Sequence, residues 1–549
     1  MPAREYLVDG DQGFIGLNSK DNPLNLGKNY VSKSQNFRLD RGVATLRKGI
    51  KRITPDTIVA YGNFYACCSY TTATGAEYLA FAFSDRILIF DPETEISIGY
   101  ILYPAGQTVQ AADNAEMYQA QGIGYIYICR GFGKQVLRWN GTYTAGSVVL
   151  PTAGTHHNYP NSNHAIYYGN RHIAQIDQNT FKVSHYLQDD HWSALDMFSI
   201  NDGSSDRMVG IVPWTLNEFV VFMRNSIFYA SVGVGADLVG DPAQASDSYV
   251  KSLATDIGCI AKGSAVQAGG GIIFLSDNGV YILNPAGAAQ GGVNTPEGMR
   301  LLAFSDPLSS TISDVIASIN YNYVHNAVAI YWENRYYLAV PLDSSTKNNA
   351  VLVYNFINKA WESVDRYPTN FDVKKFVVVK KGNKRRLFAI DDENGAFMME
   401  ELQWDEYGVA TGLPRLPGLT GNQDTFVLDS DSAYLKPSEY QSNQIQGDLI
   451  TRAYSFDTNR EKRFSGIQVD TYSPGGGVIY TKVIVTNPDV ETELIRYGLA
   501  YEESTLLRLP VRKCGQYIQA QFLTTNLRPS IYSTTLSAVV VGYTHKTQK

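Results

Sequence analysis

The chain has 549 residues, is 44% hydrophobic and carries a formal net charge of −7. That length holds several domains or a few long all-β units, with a core large enough to need neither disulfides nor metals. Mild acidity argues against general nucleic-acid binding, which needs a net basic face, and no run of about 18 apolar residues offers a membrane span, so no membrane insertion is expected.

The 37 Tyr and 23 Phe favour strands, and with 47 Gly and 21 Pro they describe many strands joined by turns. The opening MPAREYLVDG lacks the apolar run of a secretory leader. DGDQGFIGLNSK (9–20) begins like a calcium-binding loop, with Asp9 and Asp11 at the first two ligand positions. The pattern then fails at Gly13, Phe14 and Lys20, which leaves a coil leading into the first strand.

SKSQNFRLDRGVATLRKG (32–49) alternates on both sides of Arg41-Gly42 and reads as a β-hairpin with a wet basic face. A phosphate site would need a glycine-rich turn running from a strand into a helix, and nothing helical follows Gly49.

From 57 onward, short apolar strands meet Gly/Asn/Asp turns again and again. The hairpins are YLAFAFSDRILIFD (78–91), IGYIYICRGFGKQVLRWNG (123–141), HAIYYGNRHIAQI (164–176) and NEFVVFMRNSIFYASV (217–232). They continue with GGIIFLSDNGVYIL (270–283), NAVAIYWENRYYLAVPL (326–342), NAVLVYNFINKAWESVD (349–365) and KFVVVKKGNKRRLFAIDD (375–392). A supersecondary unit recurring at roughly 40–55 residues is the mark of a propeller, whose radial repetition protects sheet edges. The expected fold is all-β: a β-propeller over 57–402, six blades favoured and seven possible, after an N-terminal segment and first hairpin at 1–56. Residues 403–446 are polar and rich in Gly and Pro, and read as a linker or projecting loop. Alternating strands over 447–549 read as a β-sandwich.

The sequence points to no catalytic, cofactor-binding or metal-ligating constellation. Cys67, Cys68, Cys129, Cys259 and Cys514 are odd in number and form no CxxC, so they read as structural thiols in a reducing compartment. Six of the eight His fall between His156 and His191, including His164, His172 and His185, and read as loop and strand-end residues rather than a converging metal site. SDNGVYIL (276–283) resembles the turn of sialidase-like propellers, but Gly279 comes one residue early and no Trp closes it. The strongest charge cluster is KKGNKRR, a hairpin tip whose Lys380, Lys381, Lys384, Arg385 and Arg386 form a candidate patch for a partner or for DNA.

Taken together, several stretches resemble the tail nozzle, or tail tubular, β-propeller proteins of short-tailed bacteriophages (T7-like and P22-like podoviruses). The opening run carries Gly16-Leu17-Asn18, Pro23 to Leu26, Asn36-Phe37-Arg38 and Arg47-Lys48-Gly49. Residues 211–232, 263–283 and 349–365 also look like this family, and the chain is shorter than T7-like nozzles and longer than P22-like ones. The resemblance implies a structural virion protein in the viral tail, assembled in the host cytoplasm. It implies a homo-oligomer, a hexameric ring in the usual case, below portal and adaptor and beside tail fibre proteins. Double-stranded DNA would pass through that ring transiently during ejection, and no catalytic residue is implied. The alternative is a propeller glycan-binding protein or glycosidase, although no facing carboxylate pair is legible.

Overall fold

The alternation read along the chain becomes seven small antiparallel sheets built from consecutive strands. The computed structural model describes residues 6–120, 124–151, 158–192, 196–214, 218–233, 248–283, 308–368, 371–402, 405–406, 443–472, 477–487, 490–500, 505–525 and 530–540. Blade 1 comprises Ala66–Thr71, Glu77–Ala82, Arg86–Asp91 and Ile96–Leu102; blade 2 begins at Glu116–Ala120, blade 3 at His164–Tyr168 and blade 4 at Met208–Pro213. Blade 5 has three described strands from Val266–Ala268; blade 6 runs from Val328–Trp332 to Ala360–Arg366. Blade 7 comprises Lys375–Lys381, Lys384–Asp391 and Gly395–Leu402, and takes its outermost strand, Gly49–Arg52, from far upstream. The first strand of each blade adjoins the first strand of the next, and Lys375–Lys381 returns to Ala66–Thr71, so the ring closes.

The ring therefore has seven blades rather than the favoured six. The eight visible hairpins map onto it unevenly, because 326–342 and 349–365 both belong to blade 6 and every other hairpin marks a blade of its own.

Period-2 alternation explains how the blades stack, because each strand offers one face to either neighbour. In blade 2, Ile126 and Ile128 pack with Ala80 and Ile87 of blade 1, whereas Tyr127 and Cys129 pack with Ala165 and Ala174 of blade 3. Six buried clusters fill six of the gaps between blades, and the seventh runs from the gap between blades 5 and 6 into the sandwich core. Closure between blades 7 and 1 is strongly aromatic: Phe64, Phe81, Phe83 and Phe90 meet Phe388, with Val377, Val379 and Ile390 beside them. Each such side chain contributes about 1.5–3 kcal/mol on burial.

The sandwich has two six-stranded sheets. One orders Thr505–Gly515, Lys462–Tyr472, Ser530–Val540, Val43–Leu46 and Phe37–Asp40, with Tyr6–Asp11 also pairing Ser530–Val540. The other orders Gly16–Leu17, Tyr30–Gln35, Gln446–Thr451, Tyr517–Thr525, Gly477–Asn487 and Val490–Ala500. Most of 1–56 is thus no separate segment: it supplies strands to both sheets, and the propeller is inserted between them. The stretch around Asp9 is a strand rather than a coil. The expected Arg41-Gly42 hairpin turn is present, with φ of 49° and 87°, the two positive values that a type I′ turn requires. The linker expected at 403–446 falls almost wholly outside the described residues.

Candidate functional site

Two basic hairpins dominate the charged chemistry, and they are used in opposite ways. The first is 36–49. Its basic face is wet only in part: Arg41 and Lys48 are exposed, whereas Arg38 and Arg47 are 6% and 1% exposed. The strand Phe37–Asp40 lies against the outermost strand of blade 6, Ala360–Arg366, which brings Arg38 to Asp365. Arg38 Nη1 and Nη2 donate to the two oxygens of Asp365 at 3.1 and 2.6 Å, and Nη2 also donates to Glu400 of blade 7. Burial works against the guanidinium charge, but Asp365 and Glu400 more than offset it and hold the pKa well above the ordinary value. Ser363 Oγ donates to Asp365 at 2.7 Å and accepts from the Phe37 N–H at 3.3 Å.

Asn36 sits at a positive φ of 60° and ties the sandwich to blade 6. Its amide nitrogen donates to the carbonyl of Gln446 in the other sandwich sheet at 2.7 Å, and its oxygen accepts from Arg47 Nε at 3.1 Å and from the Arg366 N–H at 2.9 Å. Arg47 also lies 4.2 Å from the centre of the Tyr367 ring. Gly16 packs so closely on Ala360 that an added Cβ would come within 2.5 Å of that side chain. The short elements that carry the sequence resemblance therefore build the joint between sandwich, blade 6 and blade 7.

The second hairpin is 380–386. It keeps its charge at the surface, but carboxylates of blade 1 meet part of it. Glu77 accepts from the Lys380 N–H at 3.0 Å and from Arg385 Nη2 at 3.2 Å. Lys381 Nζ lies 3.2 Å from Glu95 Oε1 and donates to the carbonyl of Pro92, and Glu93 accepts from the Gly382 N–H. Lys51, on the outermost strand of blade 7, meets the same Glu95 oxygen at 3.0 Å. Lys380 and Lys384 stay exposed and Arg386 is half-buried. The patch thus acts within the chain as a clasp across the blade 7–blade 1 seam, and sequence reading missed the partners because they lie about 300 residues upstream.

The Asp9-Gly10-Asp11 element holds an arginine. Arg452 Nη2 and Nε donate to Asp9 and Asp11 at 2.7 and 2.9 Å, and Tyr454 O–H donates to Asp11 at 2.7 Å. The histidines are not the surface residues expected: His164, His172 and His185 are all buried. His164 contacts Glu116 at 2.6 Å, and His185 stacks on His191 with centroids 3.6 Å apart. His172 lies among Tyr118, Tyr127, Tyr159 and Tyr167, where burial drives its pKa down to about 3. No cluster of three metal-ligating side chains occurs among the described residues. His156 and His157 lie outside them. Burial pushes Cys68 and Cys129 up to about 12, so neither is a thiolate at neutral pH.

One surface is unusually apolar. Ile96–Leu102 is the outermost strand of blade 1, and Ile96, Ile98, Tyr100 and Leu102 are 62, 43, 50 and 53% exposed. An edge strand of this kind invites a partner.

No family model and no curated protein sequence matches the chain. Solved structures similar to it include an extracellular domain described as that of a hybrid two component system from B. thetaiotaomicron, at 12% identity and a TM-score of 0.39, covering 64% of this chain and 42% of that one. Another is an extracellular domain described as that of a one component system from the same organism, at 10% identity and a TM-score of 0.38, covering 90% of this chain and 63% of that one. The chain thus spans less than two thirds of either, and likeness at this level fixes neither fold nor function.

Proposed function

We propose that this chain is a structural virion protein, the nozzle of a short phage tail. In this reading it forms a homo-oligomeric ring, a hexamer, below portal and adaptor, and double-stranded DNA passes through its central channel during ejection. The observation that carries the reading is the joint: Gly16, Asn36, Phe37, Arg38 and Arg47, which carry the sequence resemblance, bind two all-β bodies into one stiff piece. A part that bears load while DNA passes needs such stiffness. A net charge of −7 suits a lumen that should not hold phosphate. A ring of identical chains closes by head-to-tail contacts, and the apolar outer strand of blade 1 is the surface assigned here to the neighbouring copy.

Purified phage particles whose genome encodes this chain test the reading. Antibody against the chain should decorate the tail, and quantitative mass spectrometry should find several copies per particle. Absence of the chain from the particles would overturn it.

A further inference from the structure

The propeller axis ends in a cavity of about 120 Å³, at the face where the first strands of blades 1, 2, 6 and 7 begin. Its polar lining includes Glu116, Lys262, His325, Lys374 and Lys375, and Phe64 and Phe376 supply apolar wall. Glu116 is engaged: His164 Nδ1 lies 2.6 Å and Lys262 Nζ 3.3 Å from its Oε2. Burial would raise its pKa, but His164 and Lys262, with Lys375 acting from further away, hold it well below the ordinary carboxylate range. Lys262 is therefore matched. Lys374 and Lys375 are not: among the described residues no carboxylate lies within 4 Å of either ammonium. The cavity thus has one surplus cation, Lys375, whose charge reaches Glu116, a second lysine in its lining, Lys374, one fixed carboxylate acceptor and an apolar wall.

We infer that this axial cavity binds a small oxyanion carried on a hydroxylated skeleton, either the carboxylate of a sugar acid or a phosphate group. The anion sits against Lys375 and Lys374, and a hydroxyl donates to Glu116. Neutral sugars lack the group that the two ammoniums require, and a bare cation meets a net positive wall. A compact anion of this kind matches a cavity of this size better than a polymer does. The site is a property of one subunit's ring and does not depend on assembly into a nozzle.

Isothermal titration of the full chain at low ionic strength tests this, with sodium glucuronate, inorganic phosphate and uncharged glucose as three separate probes. The expected result is one saturable site per chain for at least one oxyanion and none for glucose. Affinity should fall about tenfold in Lys375→Gln and hold in Lys384→Gln, which removes an exposed lysine elsewhere. Binding of glucuronate alone identifies a sugar acid, and binding of phosphate alone identifies a phosphate group. If Lys375→Gln lacks the wild-type circular dichroism spectrum, Lys374→Gln carries the same comparison. No saturable binding of either oxyanion, or undiminished binding in a folded variant, would overturn the assignment.

Discussion

The two basic hairpins are alike in composition and differ in depth. Arg38 and Arg47 are buried and held by Asp365, Glu400 and Asn36, whereas Lys381 and Arg385 lie at the rim and meet Glu77 and Glu95 in reach of water. Charge runs in a sequence therefore say little about use. What decides is whether the opposite charge, hundreds of residues away, meets them in a dry or a wet place. A buried pair broken on one side leaves an uncompensated ion, and a surface pair broken on one side leaves two solvated ones.

The largest effect should come from Arg38→Ala. It strands Asp365, which is fully buried, and should cost about 3–5 kcal/mol in urea denaturation. Replacing both partners, as Arg38→Met with Asp365→Leu, should cost clearly less. Equal cost for the single and double variants would show that packing rather than charge makes the joint.

Acid provides the next test. His172 has a folded pKa near 3 against about 6.5 when unfolded, so the unfolded chain binds the extra proton between those values. The stability from its neutral form is intact above about 6.5 and is lost as pH falls, by about 3 kcal/mol near pH 4. His172→Phe should flatten that part of the pH–stability curve; an unchanged slope would remove His172 as the cause.

Breaking the rim should matter less. Arg385→Glu sets like charges against Glu77 and should cost about 1 kcal/mol or less, an effect that shrinks in 1 M salt. A loss as large as that of Arg38→Ala would mean that the two hairpins do the same work.

Asp372 acts with the opposite sign to His172. Burial, with Asp391, Asp392 and Glu393 nearby and Lys347 working against them, raises it to about 6. The folded chain therefore holds that proton more tightly, and stability declines as pH rises from about 4 to 6. Asp372→Asn should remove that decline.

The sequence discloses local pairings and hides distant ones. The hairpins at 78–91 and 375–392 are legible because alternating apolar residues flank a short turn. Val148–Val149, two residues long, gives no comparable signal. Gly49–Arg52 pairs with Gly395–Leu402, and Phe37–Asp40 packs on Ala360–Arg366; neither contact leaves a local pattern. For the same reason the sandwich was legible at 447–549 but not in the opening strands that complete both its sheets. Of the candidate patch, the five basic residues were readable as a hairpin tip. Their acidic partners were not, because Glu77, Glu93 and Glu95 look like ordinary turn residues of another blade.

The claim that the opening hairpin fuses propeller and sandwich into one cooperative body can be read from a single experiment. Five of the six Trp, from Trp139 to Trp361, lie in the propeller, and Cys514 is an exposed thiol on a sandwich strand while Cys67, Cys68, Cys129 and Cys259 are buried. With a fluorophore on Cys514, urea unfolding can be followed in both bodies at once. The two transitions should coincide in the wild type and separate in Arg38→Ala; separate transitions in the wild type would contradict the fusion outright.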